Sequence, residues 1–273
     1  MMKIGKVIVF LMLGIALFSG CVGDEEKPGL TIAGSTTVQP IVTRAAEVYA
    51  QSNPDMRMGV QGGGSGTGIR MVGEGSIDIG ASSRELSEDE LLKNPDLLVH
   101  PIAIDCITIV VHPSNSIEDL SIQNIRDIFA GKITNFREVG GPDRKIVLVI
   151  REDGSGTRST FEEMVMKDTE ISNAALQKPA SGAIRFTVSG NENTIGYLGI
   201  GYLDETVKAI SVNEVSPSEE NVREGHYLLS RNLYLITKGE PMGEAKKFID
   251  FILSEDGQKI VRAEGFIGVR KNA

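Results

Sequence analysis

The sequence predicts an α/β protein built from two lobes. Short apolar runs bounded by glycine or polar residues alternate with segments whose apolar residues recur at helical spacing, a pattern typical of largely parallel sheets. About ten strand candidates follow Gly29, more than one doubly wound sheet in a chain of 273 residues needs. Because no low-complexity segment or long linker separates them, we expect two lobes that share the chain by crossing over more than once.

The strand candidates are short apolar runs that end at glycine, proline or polar residues. In chain order they occupy residues 30–34, 56–61, 77–81, 97–104, 106–111, 145–150, 181–189, 195–200 and 232–237.

The helix candidates carry apolar residues three and four positions apart. The first has one apolar face, made of Val38, Ile41, Val42, Ala45 and Tyr49. Others are expected at 69–74, after a capping box at Ser87 and Glu90, before Gly131, and around Phe161. Pro241 is expected to open a last long helix.

Charge and aromatic content argue against a polyanionic partner. Lys and Arg number 28 against 37 Asp and Glu, a net charge of -9, whereas nucleic acid binding calls for a basic surface. Aromatic residues make up only 5% of the chain, which disfavours binding by base or sugar stacking. The two cysteines do not suggest a disulfide framework. We therefore expect no nucleic acid partner.

The first 21 residues have a composition of their own. Lys3 and Lys6 precede the run VIVFLMLGIALF, which is short for a membrane-spanning helix and typical of a secretory signal. The segment ends in FSGC, which resembles a lipoprotein processing box and implies that Cys21 becomes the lipidated N-terminus of the mature protein. Residues 22–29 are expected to form a flexible tether. This predicts a location outside the cytoplasmic membrane, anchored to its outer face.

A repeated tetrapeptide points to function. GSGT occurs at 64–67 and again at 154–157, each time between a strand candidate and a helix candidate, and GSTT at 34–37 and GASS at 80–83 follow two other strands. A helix N-terminus offers free N–H groups and a partial positive charge, glycine permits close approach, and hydroxyls add donors. Several such junctions together predict a site for a small anion.

Arg151, just before the second GSGT, would supply the one fixed charge of this site. The sequence has no phosphate-binding P-loop, no dinucleotide fingerprint and no G-x-S-x-G nucleophile elbow. His100, His112 and His226 lack metal-ligand spacing, and Cys106 lies in an apolar run. We therefore expect no metal, no cofactor and no catalytic residue.

At these junctions the chain resembles the phosphate-binding subunits of high-affinity phosphate ABC transporters, which are type II periplasmic-type solute-binding proteins. The similar segments cover most of the chain after residue 30; they are TIAGSTTVQPI, QGGGSGTG, DIGASSREL, NIRDIFAGKITNF, VIREDGSGTRSTF, NLYLITKG and KKFIDFILSEDGQKIV.

The resemblance implies two Rossmann-like lobes joined by crossover strands, which close on one inorganic phosphate and then dock on a membrane permease. The domains expected are 30–109 with 234–273 as one lobe and 110–233 as the other, in a monomer that is not an enzyme. By motif position, the resemblance implies phosphate contacts from Thr36, Thr37, Ser65, Ser83, Arg151, Ser155, Gly156 and Thr157. Ser35 and Asp105 are further candidates.

One position departs from the family pattern. Where the GAS motif usually ends in Asp, which accepts the phosphate proton, this chain has Ser83. Asp105 is therefore a candidate substitute acceptor, and a different tetrahedral oxyanion such as sulfate, molybdate or tungstate is a second candidate ligand. Outside solute binding, the sequence leaves open a phosphate-ester hydrolase, which would need a nucleophile and base not found here, and a surface lipoprotein that lost its ligand.

Overall fold

The computed structural model describes residues 29–269; the signal, the lipidation site at Cys21 and nearly all of the tether predicted above lie outside this range. The strands are β1 (Leu30–Gly34), β2 (Met58–Gly62), β3 (Ile79–Ser82), β4 (Leu97–Val111), β5 (Asp119–Leu120), β6 (Val147–Arg151), β7 (Leu176–Lys178), β8 (Thr194–Gly199), β9 (Lys208–Ala209), β10 (Ser211–Val212), β11 (Ser230–Lys238) and β12 (Ile267–Gly268). The α-helices are α1 (Gln39–Ser52), α2 (Ser65–Gly73), α3 (Glu88–Lys93), α4 (Ile122–Phe129), α5 (Gly156–Phe161), α6 (Ser181–Ser189), α7 (Glu219–Arg223), α8 (Gly243–Leu253) and α9 (Glu255–Ala263).

One long strand joins two halves of the molecule. Residues Leu97 to Cys106 of β4 pair with β11, and β12 joins them at Ile104. From Ile107 to Val111 the same strand pairs instead with β8 and β9. The half containing β1–β3, β11 and β12 is called lobe 1, and the half containing β5–β10 is called lobe 2. The chain returns to lobe 1 beside β4, where the Ile107 N–H donates to the Leu229 carbonyl at 2.8 Å.

The outer strands of each lobe pair in parallel, whereas β11 pairs antiparallel with both β3 and β4. In lobe 1, β1 pairs in parallel with β2 and β3, so the carboxyl ends of all three strands lie on one edge. In lobe 2, β6 pairs in parallel with β7 and β8. Both β11 and β8 run antiparallel to β4. The glycine-rich loops that follow β1, β2, β3 and β6 therefore project from strand ends, where open α/β sheets bind ligands.

Each lobe has its own apolar core. In lobe 1, α1 buries the face predicted from its sequence, and Tyr49 packs edge-on against Phe248 of α8 with ring centroids 5.6 Å apart. In lobe 2, Phe161 stacks on Tyr197 at 4.1 Å and contacts Phe129 at 4.8 Å. Because the cores are separate, the surface between the lobes is free to be polar.

Two predictions of secondary structure are wrong. Residues 181–189, predicted as a strand, form helix α6, since Ile184 and Val188 lie one turn apart and are both buried. Pro241 does not open the last helix: α8 begins at Gly243, and Ser254 caps a separate helix, α9. The α3 capping box and the left-handed glycine after α4 are confirmed at Ser87 and Gly131. None of the helices between residues 29 and 269 has the length and apolar character required to cross a membrane.

Candidate functional site

The two GSGT loops meet across the interface between the lobes. The Gly66 N–H donates to the Gly154 carbonyl at 3.0 Å. Gly64 and Gly154 have φ angles of 86° and 80°, in the left-handed region where a side chain is disfavoured. The first loop starts α2 and the second starts α5, which continues as a turn of π-helix from Glu162 to Met166. The interface thus brings together two helix N-termini from different lobes.

Lobe 1 presents a row of buried hydroxyls. Thr37 and Ser65 are 0% exposed and Ser83 is 1% exposed. The Ser65 hydroxyl accepts a hydrogen bond from the Ser83 N–H at 3.1 Å, and the two hydroxyl oxygens are 3.4 Å apart. Ser65 and Ser83 are therefore in contact, and all three predicted ligand residues are shielded from water.

Lobe 2 presents a matching set. Thr37 Oγ1 lies 2.9 Å from Thr157 Oγ1 and 3.2 Å from Ser181 Oγ. Arg151, 2% exposed, donates from Nη1 to Ser181 Oγ at 3.0 Å. A cluster of three hydroxyls is thus shared by both lobes and is linked directly to the buried guanidinium.

Gly156 lies close against the hydroxyls of lobe 1. A Cβ atom built at this position would lie 2.3 Å from Ser65 Oγ and 2.7 Å from Ser83 Oγ. Only a glycine backbone fits against these two hydroxyls, so the first turn of α5 reaches the lobe 1 donors directly.

Three other predicted residues serve the loops as well as the interface. Ser155 caps α5, with its hydroxyl accepting from the Arg158 N–H at 3.3 Å, and Ser35 Oγ accepts from the Thr37 N–H at 3.2 Å. Thr36 Oγ1 accepts from the Ser181 N–H at 3.3 Å, across the lobes. The Tyr202 hydroxyl donates to the Thr36 carbonyl. The side chains of Ser35 and Ser155 are thus already hydrogen-bonded within their own loops.

Asp105 reaches the site through another residue. Its Oδ2 accepts from Nε and Nη2 of Arg231 at 3.0 and 2.7 Å, and its Oδ1 accepts from the Ile200 N–H at 2.9 Å. Burial raises the pKa of the Asp105 carboxyl, while the Arg231 charge and the N–H groups of Ile200 and Cys106 act in the opposite direction. Both of its oxygens already accept hydrogen bonds, so this carboxylate is a partner of Arg231.

Two buried guanidiniums lie at the site, and the charge of one of them, Arg231, is paired with Asp105. Arg151 also donates from Nη2 to Glu152 Oε1 at 2.8 Å, but Glu152 is 29% exposed while Arg151 is 2% exposed. Water screens the carboxylate more than the guanidinium. Arg151 also donates from Nε to Glu152 Oε2 at 3.2 Å and from Nη2 to the Pro179 carbonyl at 3.4 Å, so its hydrogen-bond partners are acceptors. A buried guanidinium beside hydroxyls suits an anion and disfavours a cation.

Sequence reasoning missed two residues and misjudged one junction. Ser181 was missed because its segment was predicted to be a strand, although a Ser-Gly pair before helically spaced Ile184 and Val188 was a usable signal. Arg231 lies just before the predicted strand at 232–237, although β11 includes it, and no sequence pattern singled it out. The GASS segment does not start a helix: Ser83 follows β3 directly, and α3 begins only at Glu88.

An open groove lies beside the buried cluster. It has a volume of about 780 Å³ between the lobes and is lined by residues of both, among them Arg84, Glu85, Thr160, Arg231 and Tyr234. The predicted ligand residues do not line it, since they are buried behind the contact between the GSGT loops. Within residues 29–269, no group of three or more His, Cys, Asp or Glu side chains is arranged to hold a metal ion.

Two lobes joined through a shared strand, with buried donors at their interface, define a periplasmic-binding-protein-like fold. The model of the PBP superfamily domain matches residues 22–256. The phosphate-binding protein PstS of Bacillus subtilis is 40% identical over 250 residues, covering 90% of this chain and 83% of that protein. PstS of Borreliella burgdorferi is 28% identical and covers 97% and 98% of the two chains.

Solved structures give the same result. A crystal structure of a putative phosphate ABC transporter substrate-binding protein with bound phosphate, from Clostridium perfringens, has a TM-score of 0.84 and 42% identity, covering 88% of this chain and 99% of the other. An ABC-type phosphate transport receptor from Vibrio cholerae has a TM-score of 0.73 and 34% identity, covering 87% and 99%. The chain belongs to the PBP superfamily and, within it, to the family of the PstS proteins.

Proposed function

We propose that this chain is an extracytoplasmic solute-binding protein that captures inorganic phosphate between its lobes and delivers it to an ABC transporter permease. The observation that carries the proposal is the buried cluster in which Thr37, Thr157 and Ser181 meet Arg151. Relatives at 40% and 42% identity are named as phosphate-binding proteins, one of them with phosphate bound.

The proposed ligand set consists of neutral donors and one cation. It comprises Thr36, Thr37, Ser65, Ser83, Arg151, Ser155, Gly156 and Thr157. We add Ser181 to this proposed set, because its hydroxyl accepts from Arg151 in the same buried cluster. A dianion facing a single guanidinium is only partly neutralised, so hydrogen bonds and helix N-termini supply the remainder. The chemistry is that of binding, with no bond made or broken.

Capture follows from contacts that exist only when the lobes are together. In the open state, phosphate would meet the donors of one lobe; on closure it would gain those of the other. The hydrogen bonds from Gly66 to Gly154 and from Ser181 to Thr36 form in the same movement. Because the anion contacts more donors in the closed state, it shifts the equilibrium towards closure. A permease can then distinguish loaded from empty protein by lobe position.

The remaining parts of the proposal concern the whole chain. We propose two lobes, 30–109 with 234–273 and 110–233. The pairing of β4 changes between Cys106 and Ile107 and β11 begins at Ser230, so both crossovers lie a few residues before these proposed boundaries. We also propose that residues 1–21 are a signal, that lipidated Cys21 anchors a monomer to the outer face of the membrane, and that residues 22–29 link anchor and domain.

A second candidate ligand is a different tetrahedral oxyanion, such as sulfate. The observation that favours it is Ser83, which lies beside Ser65 in the buried row where a carboxylate would accept the phosphate proton. A hydroxyl can accept or donate, so it does not select the protonated anion by charge.

Equilibrium dialysis with labelled phosphate tests the proposal. The purified chain should bind one phosphate, and Thr157→Val, which removes a buried interface hydroxyl, should weaken binding about tenfold. The matched control is Thr187→Val, because the Thr187 hydroxyl donates to the Ala183 carbonyl within α6, away from the interface cluster. Absence of phosphate binding at millimolar concentration, or equal affinities in all three proteins, would contradict the proposal.

A further inference from the structure

We propose that Arg231, fixed by Asp105, is a positioning residue that makes the Thr157 hydroxyl a hydrogen-bond donor to the bound anion. The inference rests on the proposed function and assigns Arg231 and Asp105 a role exerted through the Thr157 hydroxyl. Arg231 lies on β11 in lobe 1 and Asp105 on the shared strand β4, whereas Thr157 lies on α5 in lobe 2.

The geometry links the three residues in a chain across the interface. Arg231 Nη2 lies 2.7 Å from Asp105 Oδ2 and 2.9 Å from Thr157 Oγ1. The side chains of Arg231 and Asp105 are 4% and 0% exposed, and Thr157 is 0% exposed. Nε of Arg231 makes a second bond to Asp105 Oδ2 at 3.0 Å, so the plane of the guanidinium is fixed. Arg231 therefore points Nη2 at one hydroxyl oxygen.

Proton counting gives the direction of that hydrogen bond. An arginine has no acceptor, so Thr157 Oγ1 must accept from Arg231. Ser181 Oγ accepts from Arg151 for the same reason. The three hydroxyls of Thr37, Thr157 and Ser181 carry three protons, and their two mutual contacts use at most two of them. At least one hydroxyl proton therefore remains for an external acceptor.

The Arg231–Asp105 ion pair acts on the Thr157 hydroxyl rather than by attracting the anion. Arg231 and Asp105 neutralise each other, so the pair adds little net attraction for an anion, and the Asp105 oxygens are occupied. Its effect is instead to fill one lone pair of Thr157, which leaves the hydroxyl proton to be donated. The contact also ties β11 of lobe 1 to the first turn of α5, so it exists only with the lobes closed.

A double-mutant cycle tests this role. Arg231→Lys keeps a positive charge for Asp105, but one ammonium cannot reproduce the fixed two-pronged contact with both partners. We expect about a tenfold loss of phosphate affinity in the wild-type background. In the Thr157→Val background, which lacks the hydroxyl, the same change should cost less than about twofold. Arg126→Lys is the matched control, since Arg126 bonds the Val165 carbonyl away from the site.

Folding and function are separated by two further measurements. Thermal unfolding without phosphate reports whether the Arg231→Lys variant is stable. A double variant, Asp105→Asn with Arg231→Gln, removes both charges, so no unpaired charge is left buried. The double substitution should also weaken phosphate binding about tenfold. The inference would be overturned, while the proposed function stands, if Arg231→Lys lowered phosphate affinity equally with and without the Thr157 hydroxyl, or if it left phosphate affinity unchanged. A wild-type protein that binds no phosphate would refute both.

Discussion

Removing the Arg151 guanidinium is the most severe single change that the site offers. The side chain is 2% exposed, and it bonds to Ser181 Oγ at 3.0 Å and to Glu152 Oε1 at 2.8 Å. In Arg151→Ala the site would lose the guanidinium that Asp105 does not pair with, and the Ser181 hydroxyl would lose its donor. Glu152 would remain as an unpaired carboxylate facing the same region.

The magnitude follows from these contacts. Breaking a buried charge pair costs about 3–5 kcal/mol. Because Glu152 is 29% exposed and can be hydrated, the lower end applies, and about 3 kcal/mol corresponds to a rise of about 100-fold in Kd. The unliganded protein should lose less stability than this, since the empty site can admit water.

Isothermal titration calorimetry with inorganic phosphate at fixed ionic strength measures the effect. Arg126→Ala is the control, because Arg126 is a partly buried arginine of lobe 2 that bonds the Val165 carbonyl outside the interface. It should bind phosphate within about twofold of wild type. An Arg151→Ala protein whose affinity lies within threefold of wild type would refute the assignment of this guanidinium to the anion.

Three further predictions concern single side chains. Gly156→Ala places a Cβ 2.3 Å from Ser65 Oγ, so phosphate should bind at least about tenfold more weakly, with little change in the thermal stability of the unliganded protein. The control is Gly182→Ala, whose Cβ would lie 3.9 Å from its nearest neighbour. Equal phosphate affinity of the two variants would contradict the steric argument. Ser83→Asp supplies an acceptor for the phosphate proton, so sulfate should compete less well with labelled phosphate, and unchanged competition at two pH values would contradict this. Burial raises the pKa of the Cys106 thiol to about 12, so the thiol should not react with a thiol reagent at pH 8 until the protein unfolds. Mass spectrometry measures the labelling, and labelled Cys106 in the native protein would contradict this prediction.

Local sequence patterns were sufficient for much of the fold. The apolar spacing from Ile41 to Tyr49 predicted α1 and its buried face, because a helix repeats every 3.6 residues. The same local chemistry predicted the capping box of α3 and the glycine after α4. The fold class, two α/β lobes joined by crossover strands, is confirmed by the structure and by the PBP superfamily match.

The apolar pattern gave a wrong prediction for one segment, in which the buried residues of a helix were interpreted as those of a strand. The segment from Ser181 to Ser189 contains β-branched residues among polar ones and was predicted to be a strand, but it packs Ile184 and Val188 as a helix against β8 and β6. That error hid Ser181, whose backbone and side chain contact Thr36, Thr37 and Arg151.

The kinds of group at the site could be read from the amino-acid sequence: hydroxyls and glycines after strands, and an arginine shortly before the second GSGT. Those features are local, since each depends on a few neighbouring residues. Which of these groups meet depends on the folded chain. Thr37 contacts Thr157 across 120 positions of sequence, and Asp105 contacts Arg231 across 126. Contacts at such separation arise from the pairing of β4 with β11 and β8, which brings the strands and loops of both lobes together.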